Sequence, residues 1–328
     1  MPNVIGLKVY GLSKELVTCA EWSGAIGEGR SKQLVEQVGK AKVTRFMLGA
    51  ALRYLLRYPT RAVSAVVRDP LEAWTTLEDR YVHHLEQRRP QFPYAADDGW
   101  EARLHSLLGV PWPCDASSEF RAVWPEIIRQ LEATGVRVGP ESFGCWNDGD
   151  AGLMRAIWCL VRHLRPGNVI ETGVAHGFSS RFILEALERN GPGHLWSIDL
   201  PPLNPALEGQ VGLAVGNRYP DRWSFIKGSS RRRLPGLLSQ LGQIDLFIHD
   251  SLHSERNVRF ESDRAWQALK PGGALVIDDI DSNLGFQSFT KTFSGHKSMI
   301  CEAEPLRQDT RRFNNKGLFG IILKEPLG

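Results

Sequence analysis

From Asn168 onward, short apolar runs alternate with longer amphipathic ones in the order that a doubly wound parallel sheet requires. Val169 to Glu171, Leu195 to Asp199, Ser224 to Ile226, Leu246 to His249 and Ala274 to Asp278 predict five strands. Helical spacing over Ser179 to Arg189, Arg231 to Leu241 and Ser254 to Leu269 fills the gaps, except between the second and third strands. Crossovers of this kind are expected to be right-handed. A further helix around Phe286 to Phe293 precedes two strand-like runs, Ser298 to Ala303 and Leu318 to Leu323. The polar stretch between these runs carries Arg311, Arg312, Asn314, Asn315 and Gly317 and suits a closing hairpin. Upstream, Asp150 stands where an N-cap would open a helix over Ala151 to Leu164, and Arg165-Pro166-Gly167 returns the chain to the first strand.

Residues 1–140 follow another pattern. They are rich in Arg, Trp and helix-forming residues and lack a β-alternating series, which predicts a mostly helical N-terminal region ahead of an α/β domain over 141–328. That region would serve as a lid or as a substrate or subunit contact. Lys42 to Arg68 contains Lys42, Arg45, Arg53, Arg57, Arg61 and Arg68 with no acid, interleaved with apolar residues and divided by Pro59 into two helices. Such a stretch suits peripheral contact with an anionic membrane surface or a partner; the plainer alternative is a core helix with a solvated basic face. Pro90, Pro93, Pro111 and Pro113 mark connectors. Trp22, Trp74, Trp100, Trp112 and Trp124 suit a pocket, a contact in a homo-oligomer, or a core.

Composition narrows the function classes. The 328 residues are 42% apolar, enough for a substantial core, and 40 basic against 37 acidic residues leave a net charge of +3, too balanced to imply nucleic-acid binding. Five scattered cysteines, Cys19, Cys114, Cys145, Cys159 and Cys301, form no C-x-x-C pair; this argues for a reducing, cytoplasmic setting and against structural zinc or a disulfide scaffold. Charged residues interrupt the first 32 positions, so a secretory leader is not expected, and the longest apolar run, Phe46 to Leu56, falls short of the roughly 20 residues of a spanning helix.

The most informative segment reads N-V-I-E-T-G-V-A-H-G-F-S-S, from Asn168 to Ser180. A strand runs into an acid, a glycine-spaced turn and a helix, an arrangement that lets backbone approach a nucleotide-like ligand. Ala175 stands where a dinucleotide fingerprint would have its second glycine, which disfavours a nicotinamide-dependent oxidoreductase. The resulting E-x-G-x-A-x-G resembles the first motif of class I S-adenosylmethionine-dependent methyltransferases, whose Rossmann-like sheet of seven strands, one antiparallel, matches the predicted element order. On this reading Glu171 orients the amino-acid end of the cofactor, Gly173 and Gly177 clear its path, and Ala175 and Ser179 belong to the same turn. Asp199, at the end of the second strand, would accept from the ribose hydroxyls, each charge-assisted bond contributing roughly 1.5 to 3 kcal/mol. Gly228, Ser229 and Ser230 would meet the adenine edge. Arg231, Arg232 and Arg233 then suit an anionic substrate group or a solvated face.

Asp250 ends the fourth strand, and Asp278 and Asp279 end the fifth. Three carboxylates on one rim repel unless protonated, solvated or neutralised, and a divalent ion held by oxygen ligands, magnesium or manganese, is the economical solution. His253, three residues after Asp250, is placed to accept a hydroxyl proton. This D-x-x-H followed by an acidic pair after K-P-G-G resembles the metal-dependent sugar O-methyltransferases of macrolide biosynthesis, the macrocin and mycinamicin type, over roughly Gly144 to Lys324. The resemblance implies Asp250, Asp278 and Asp279 as magnesium ligands, Asp250 beside the cofactor, and His253 as general base. A zinc site from His249 and His253 is disfavoured because His249 lies within a strand. The expected function is thus magnesium-assisted O-methylation of a small polyhydroxylated acceptor. The alternatives are metal-free methyl transfer on the same fold, or a membrane-surface scaffold with a vestigial cofactor domain.

Overall fold

The computed structural model describes residues 66–86, 94–133, 150–200, 205–304 and 317–325, with residues 49, 56, 63 and 202. The chain divides into two compact units, Met1–Ser64 and Ala65–Gly328, and the elements named below all belong to the second. The Lys42 to Arg68 stretch, its Pro59 break, Trp22 and the polar loop from Arg311 to Asn315 fall mostly or wholly outside the described residues.

Among the described residues the element order begins with α1 (Pro70–Glu86), α2 (Trp100–Leu107) and α3 (Asp115–Ala133). Then follow α4 (Ala151–Leu164), β1 (Asn168–Thr172), α5 (Phe178–Asn190), β2 (His194–Asp199), a 3-10 turn (Pro205–Gln210), β3 (Trp223–Lys227), α6 (Ser230–Leu241), β4 (Ile244–His249), α7 (Glu255–Ala268), β5 (Leu269–Ile277), α8 (Gly285–Thr292), β6 (Lys297–Glu302) and β7 (Leu318–Leu323). The strands form one seven-stranded sheet in the order β3-β2-β1-β4-β5-β7-β6. β1 to β5 pair in parallel, while β7 runs antiparallel to both β5 and β6. The expected doubly wound α/β sheet with a closing hairpin is therefore present.

Side chains along each strand alternate between two cores, as a sheet covered on both faces requires. Val169, Leu246, Ile248, Ala274, Val276, Phe319 and Ile321 join the core with α2, α3, α4 and α5. Their neighbours Ile170, Phe247, Leu275, Ile277, Leu318 and Ile322 join the opposite core with α6, α7 and α8. Full burial of a large apolar side chain contributes about 1.5–3 kcal/mol, so each strand's register is fixed from both faces.

The helices before the sheet are part of this packing. Trp124 of α3 stacks on Phe182 of α5 with ring centroids 5.2 Å apart, and Trp100 of α2 meets Phe319 of β7 edge-on at 5.4 Å. Trp158 of α4 donates its indole N–H to the Ala116 carbonyl of α3 at 2.9 Å. Trp100 and Trp124 are thus core contributors, whereas Trp74 on α1 is 57% exposed. Asp150 caps α4 as expected: its Oδ1 accepts from the amides of Gly152 and Leu153, and also from Glu304 at the far end of β6.

Candidate functional site

The reversal of strand order between β1 and β4 opens the usual ligand crevice of a doubly wound sheet at the carboxyl ends of the strands. Hydrogen bonds beyond the strand ends hold the residues there in one row. Gly173 N donates to Ile198 O, Asp250 N to Thr172 O, Asp278 N to His249 O and Gly228 N to Asp199 O, each at 2.9 Å. This stitching brings Gly173, Asp199, Gly228, Asp250 and Asp278 to the same edge.

The glycine turn is built more for contact with protein than was expected. Gly173 has φ +86, and a Cβ there would lie 1.8 Å from the Asp250 carbonyl oxygen. Gly177 has φ +80, and a Cβ there would come within 3.0 Å of the Gly212 backbone. Gly212 N and Ala214 N in turn donate to Ala175 O and His176 O. Each of the two glycines makes room for another stretch of backbone. Ala175 adopts a left-handed conformation, φ 46, which L-residues with a Cβ resist.

Glu171 also departs from its expected role. It is completely buried and accepts hydroxyl hydrogen bonds from Ser179, from Ser180 at 2.5 Å and from Ser197 at 2.9 Å. Its carboxyl therefore anchors α5 and β2 beneath the turn, and it has no surface with which to touch a cofactor. Burial pushes its pKa up to about 7 against the three hydroxyl donors, with Asp250 adding to the rise. Asp199 shapes the turn from the other side, its Oδ2 accepting from the amides of Val174 and Ala175, both at 3.0 Å. Burial raises the Asp199 pKa too, offset by backbone donors and reinforced by Asp250.

The acidic rim is present. The imidazole of His253 lies between two carboxylates, with Nδ1 3.1 Å from Asp279 Oδ2 and Nε2 3.6 Å from Asp250 Oδ1. One ligand atom each from Asp250, His253 and Asp278 falls within 4.8 Å of the others. The set that converges thus differs from the expected one: His253 stands beside Asp250 and Asp278, while Asp279 faces the other ring nitrogen. Burial opposes protonation of His253, but Asp279, Asp250 and Asp278 outweigh it and hold its pKa well above the ordinary value. Nε2 is buried with no hydrogen-bond partner.

Beneath the rim lies a support that the sequence reading missed. Glu261 of α7 is fully buried and accepts from His249 Nδ1 at 2.6 Å, Thr172 Oγ1 at 2.5 Å, Ser251 Oγ at 2.8 Å and Asn257 Nδ2 at 2.9 Å. Burial raises its pKa, but His249 and the hydroxyl donors prevail and lower it to about 2. His249 is tied down here, and although its ring lies 5.6 Å from that of His253, it belongs to no converging ligand group among the described residues. A helix face carrying Asn257 and Glu261 at i and i+4 behind the acidic strand end was the available signal.

α1 crosses the starts of α6 and α7. Glu72 Oε1 accepts from Ser229 N and Glu86 Oε2 from Glu255 N, both at 2.7 Å, so two acids cap two helix N-termini from outside. Arg231 Nε donates to both oxygens of Asp79 at 3.0 and 3.1 Å, Arg232 pairs with Asp69 and Glu72, and Arg233 donates to Lys227 O. The arginine run thus holds α1 and Lys227 instead of an anionic substrate. The adenine-edge expectation is corrected for two groups: the Ser229 amide is taken by Glu72, and Ser230 hydrogen-bonds Glu261.

Residues 170–280 match the family model described as a methyltransferase domain. Among solved structures, an O-methyltransferase from Bacillus cereus in complex with SAH is 14% identical, with a TM-score of 0.43 over 69% of this chain and 99% of that one. The O-methyltransferase TomG from Streptomyces achromogenes, involved in tomaymycin synthesis and in complex with SAM, is 15% identical, with a TM-score of 0.41 over 65% and 91%. The matched stretch spans the glycine turn, Asp199, the Asp250–His253 segment and the Asp278–Asp279 pair, and it supports the expectation of a methyltransferase domain.

Proposed function

We propose that this chain is an S-adenosylmethionine-dependent O-methyltransferase acting on a hydroxyl of a small polyhydroxylated metabolite such as a sugar, with a magnesium ion assisting. The observation that carries this reading is the convergence of Asp250, His253 and Asp278 beside the β1 turn, within the stretch similar to methyltransferase domains. The residues fit a divalent cation. They supply carboxylate oxygens at a partly open rim, and a buried imidazole nitrogen there lacks a partner. Asp250 and Asp278 would hold the ion, with Asp279 beside them; when bound it would stabilise a deprotonating hydroxyl as a Lewis acid.

The chain's own residues account for the proton. Asp279 accepts from His253 Nδ1, so above the raised pKa that the neighbouring carboxylates give the ring, the neutral form carries its lone pair on Nε2. Nε2 would take the hydroxyl proton, and S-adenosylmethionine when bound would supply the methyl group to the acceptor oxygen and leave as S-adenosylhomocysteine. Asp199 would bind the ribose through the oxygen that the turn amides do not use.

A metal-free version of the same transfer rests on the His253–Asp279 contact alone. Calorimetric titration with S-adenosylmethionine, with and without magnesium, followed by turnover on a polyol panel in excess chelator, tests both. Heat of cofactor binding and chelator-sensitive turnover support the proposal. Turnover untouched by chelator selects the metal-free version, and no cofactor binding under either condition removes the methyltransferase reading.

A further inference from the structure

The helices ahead of the sheet gather a second set of ligand atoms, made from none of the residues of the acidic rim. His105 lies in the last turn of α2, Cys114 immediately before α3, and His163 in the last turn of α4. Their ligand atoms fall within 4.8 Å of one another, with Cys114 Sγ 3.0 Å from His105 Nε2 and 3.3 Å from His163 Nε2. The two rings stand nearly perpendicular, centroids 5.3 Å apart. His105 and Cys114 are buried, and His163 is partly so.

Hydrogen bonding fixes how one ring presents itself. His105 Nδ1 is 2.6 Å from the Glu101 carbonyl oxygen, which only accepts, so Nδ1 carries the proton. The neutral ring therefore aims the Nε2 lone pair at Cys114 Sγ, the tautomer and backbone anchor usual for a metal-bound histidine. Cys159, one helical turn before His163 on α4, is buried, and its thiol hydrogen-bonds Cys114. Nearby Glu101 is taken up by Arg155, and Glu119 by Arg162. Two imidazoles and one thiolate select a borderline-soft ion over magnesium. In a tetrahedral zinc site, Zn–S near 2.3 Å and Zn–N near 2.0 Å put sulfur and nitrogen about 3.5 Å apart. The observed separations are only a few tenths of an ångström short of that.

We propose that His105, Cys114 and His163 bind a zinc ion that ties α2 and the start of α3 to α4, with the fourth position left to solvent. Coordination replaces the Cys114 S–H bond with a metal–sulfur bond and releases one proton to solvent, leaving one thiolate and two neutral imidazoles on Zn2+. Scattered cysteines without a C-x-x-C pair argued against zinc.

The test uses full-length protein stripped of metal and titrated with Co2+, then with Zn2+ in competition. The acidic rim has no thiolate, so a thiolate-to-cobalt charge-transfer band with tetrahedral visible bands reports this site alone. The band should appear at one ion per chain, persist in Asp250→Asn/Asp278→Asn, disappear in Cys114→Ser and be displaced by Zn2+. His163→Gln, a change at a partly exposed position, covers the case in which Cys114→Ser does not fold; it should weaken Co2+ binding by at least about 10-fold. Absence of the band in the wild-type chain at saturating Co2+, or an unchanged affinity in His163→Gln, overturns the site and leaves the methyltransferase proposal untouched.

Discussion

Replacing Glu171 with Gln tests the view that this acid is a buried anchor. Its carboxyl is fully buried, and burial moves its pKa from 4.5 up to about 7 in the folded chain. A carboxyl whose folded pKa lies above its unfolded one binds its proton more tightly when folded. Its contribution to stability is therefore fully present below about pH 4.5 and is lost as pH rises through about 7. The gap, at about 1.4 kcal/mol per pH unit, gives a loss on the order of 3 kcal/mol above that window. Gln keeps the shape of the protonated acid and cannot ionise. The serine hydroxyls, which rotate freely, are able to accept from its amide as well as donate to its oxygen. Denaturant melts near pH 5 should find the variant within about 1 kcal/mol of the parent, whereas melts at about pH 8.5 should find it more stable by up to about 3 kcal/mol. A variant less stable than the parent at the higher pH would refute the reasoning, because the three hydroxyl donors would then be favouring the charged form by more than burial disfavours it.

Gly173→Ala should unfold the switch point or displace Asp250, because the added methyl would overlap the Asp250 carbonyl at 1.8 Å; wild-type stability and cofactor affinity in this variant would show that the β1–β4 contact is soft. Ala175→Gly relieves a left-handed alanine and should stabilise the chain by about 1 kcal/mol, seen as a rise in Tm of about 2–4 °C; a fall would mean the methyl makes a contact that outweighs the strain. His253→Ala should slow turnover roughly 100- to 10,000-fold with cofactor affinity nearly intact, and Asp279→Asn should slow it by disturbing the ring's tautomer. Equal kcat in His253→Ala and the parent would remove His253 from proton transfer.

The sheet was legible because each strand advertises both of its faces: Leu246 and Ile248 point into one core and Phe247 into the other, so the run is apolar throughout and ends abruptly at an acid. The acidic rim was legible for the same reason, since parallel neighbours finish at one edge. Three things were hidden, and each depends on a partner distant in the chain. Gly173 reads as a ligand-clearing glycine until the Asp250 carbonyl is seen against it. Arg231 and Arg232 read as part of a solvated or substrate-facing run, but the acids that pair with them sit more than 140 positions earlier, on α1 and just before it. Glu261 looks like one more charge on a polar helix, and only the strand register places His249 and Thr172 above it.

The contacts of α1 bear directly on how the rim is held. Glu86 accepts from the first amide of α7 two residues beyond His253, and His83 donates from Nδ1 to the His253 carbonyl at 3.2 Å. Asp79 meets Arg231 at the start of α6, and Glu72 accepts from the amide before it. Hydrogen bonds with a charged partner contribute about 1.5–3 kcal/mol each, so the three made by Glu72, Asp79 and Glu86 outweigh the thermal freedom of one helix. A displacement of α1 must then pull on the backbone of His253 and on the N-terminus of α7, whose Glu261 supports the rim from below. The geometry of the proton-accepting imidazole is thus set from both sides: by the strand ends that carry Asp250 and Asp279, and by a helix that precedes the sheet by about 80 residues.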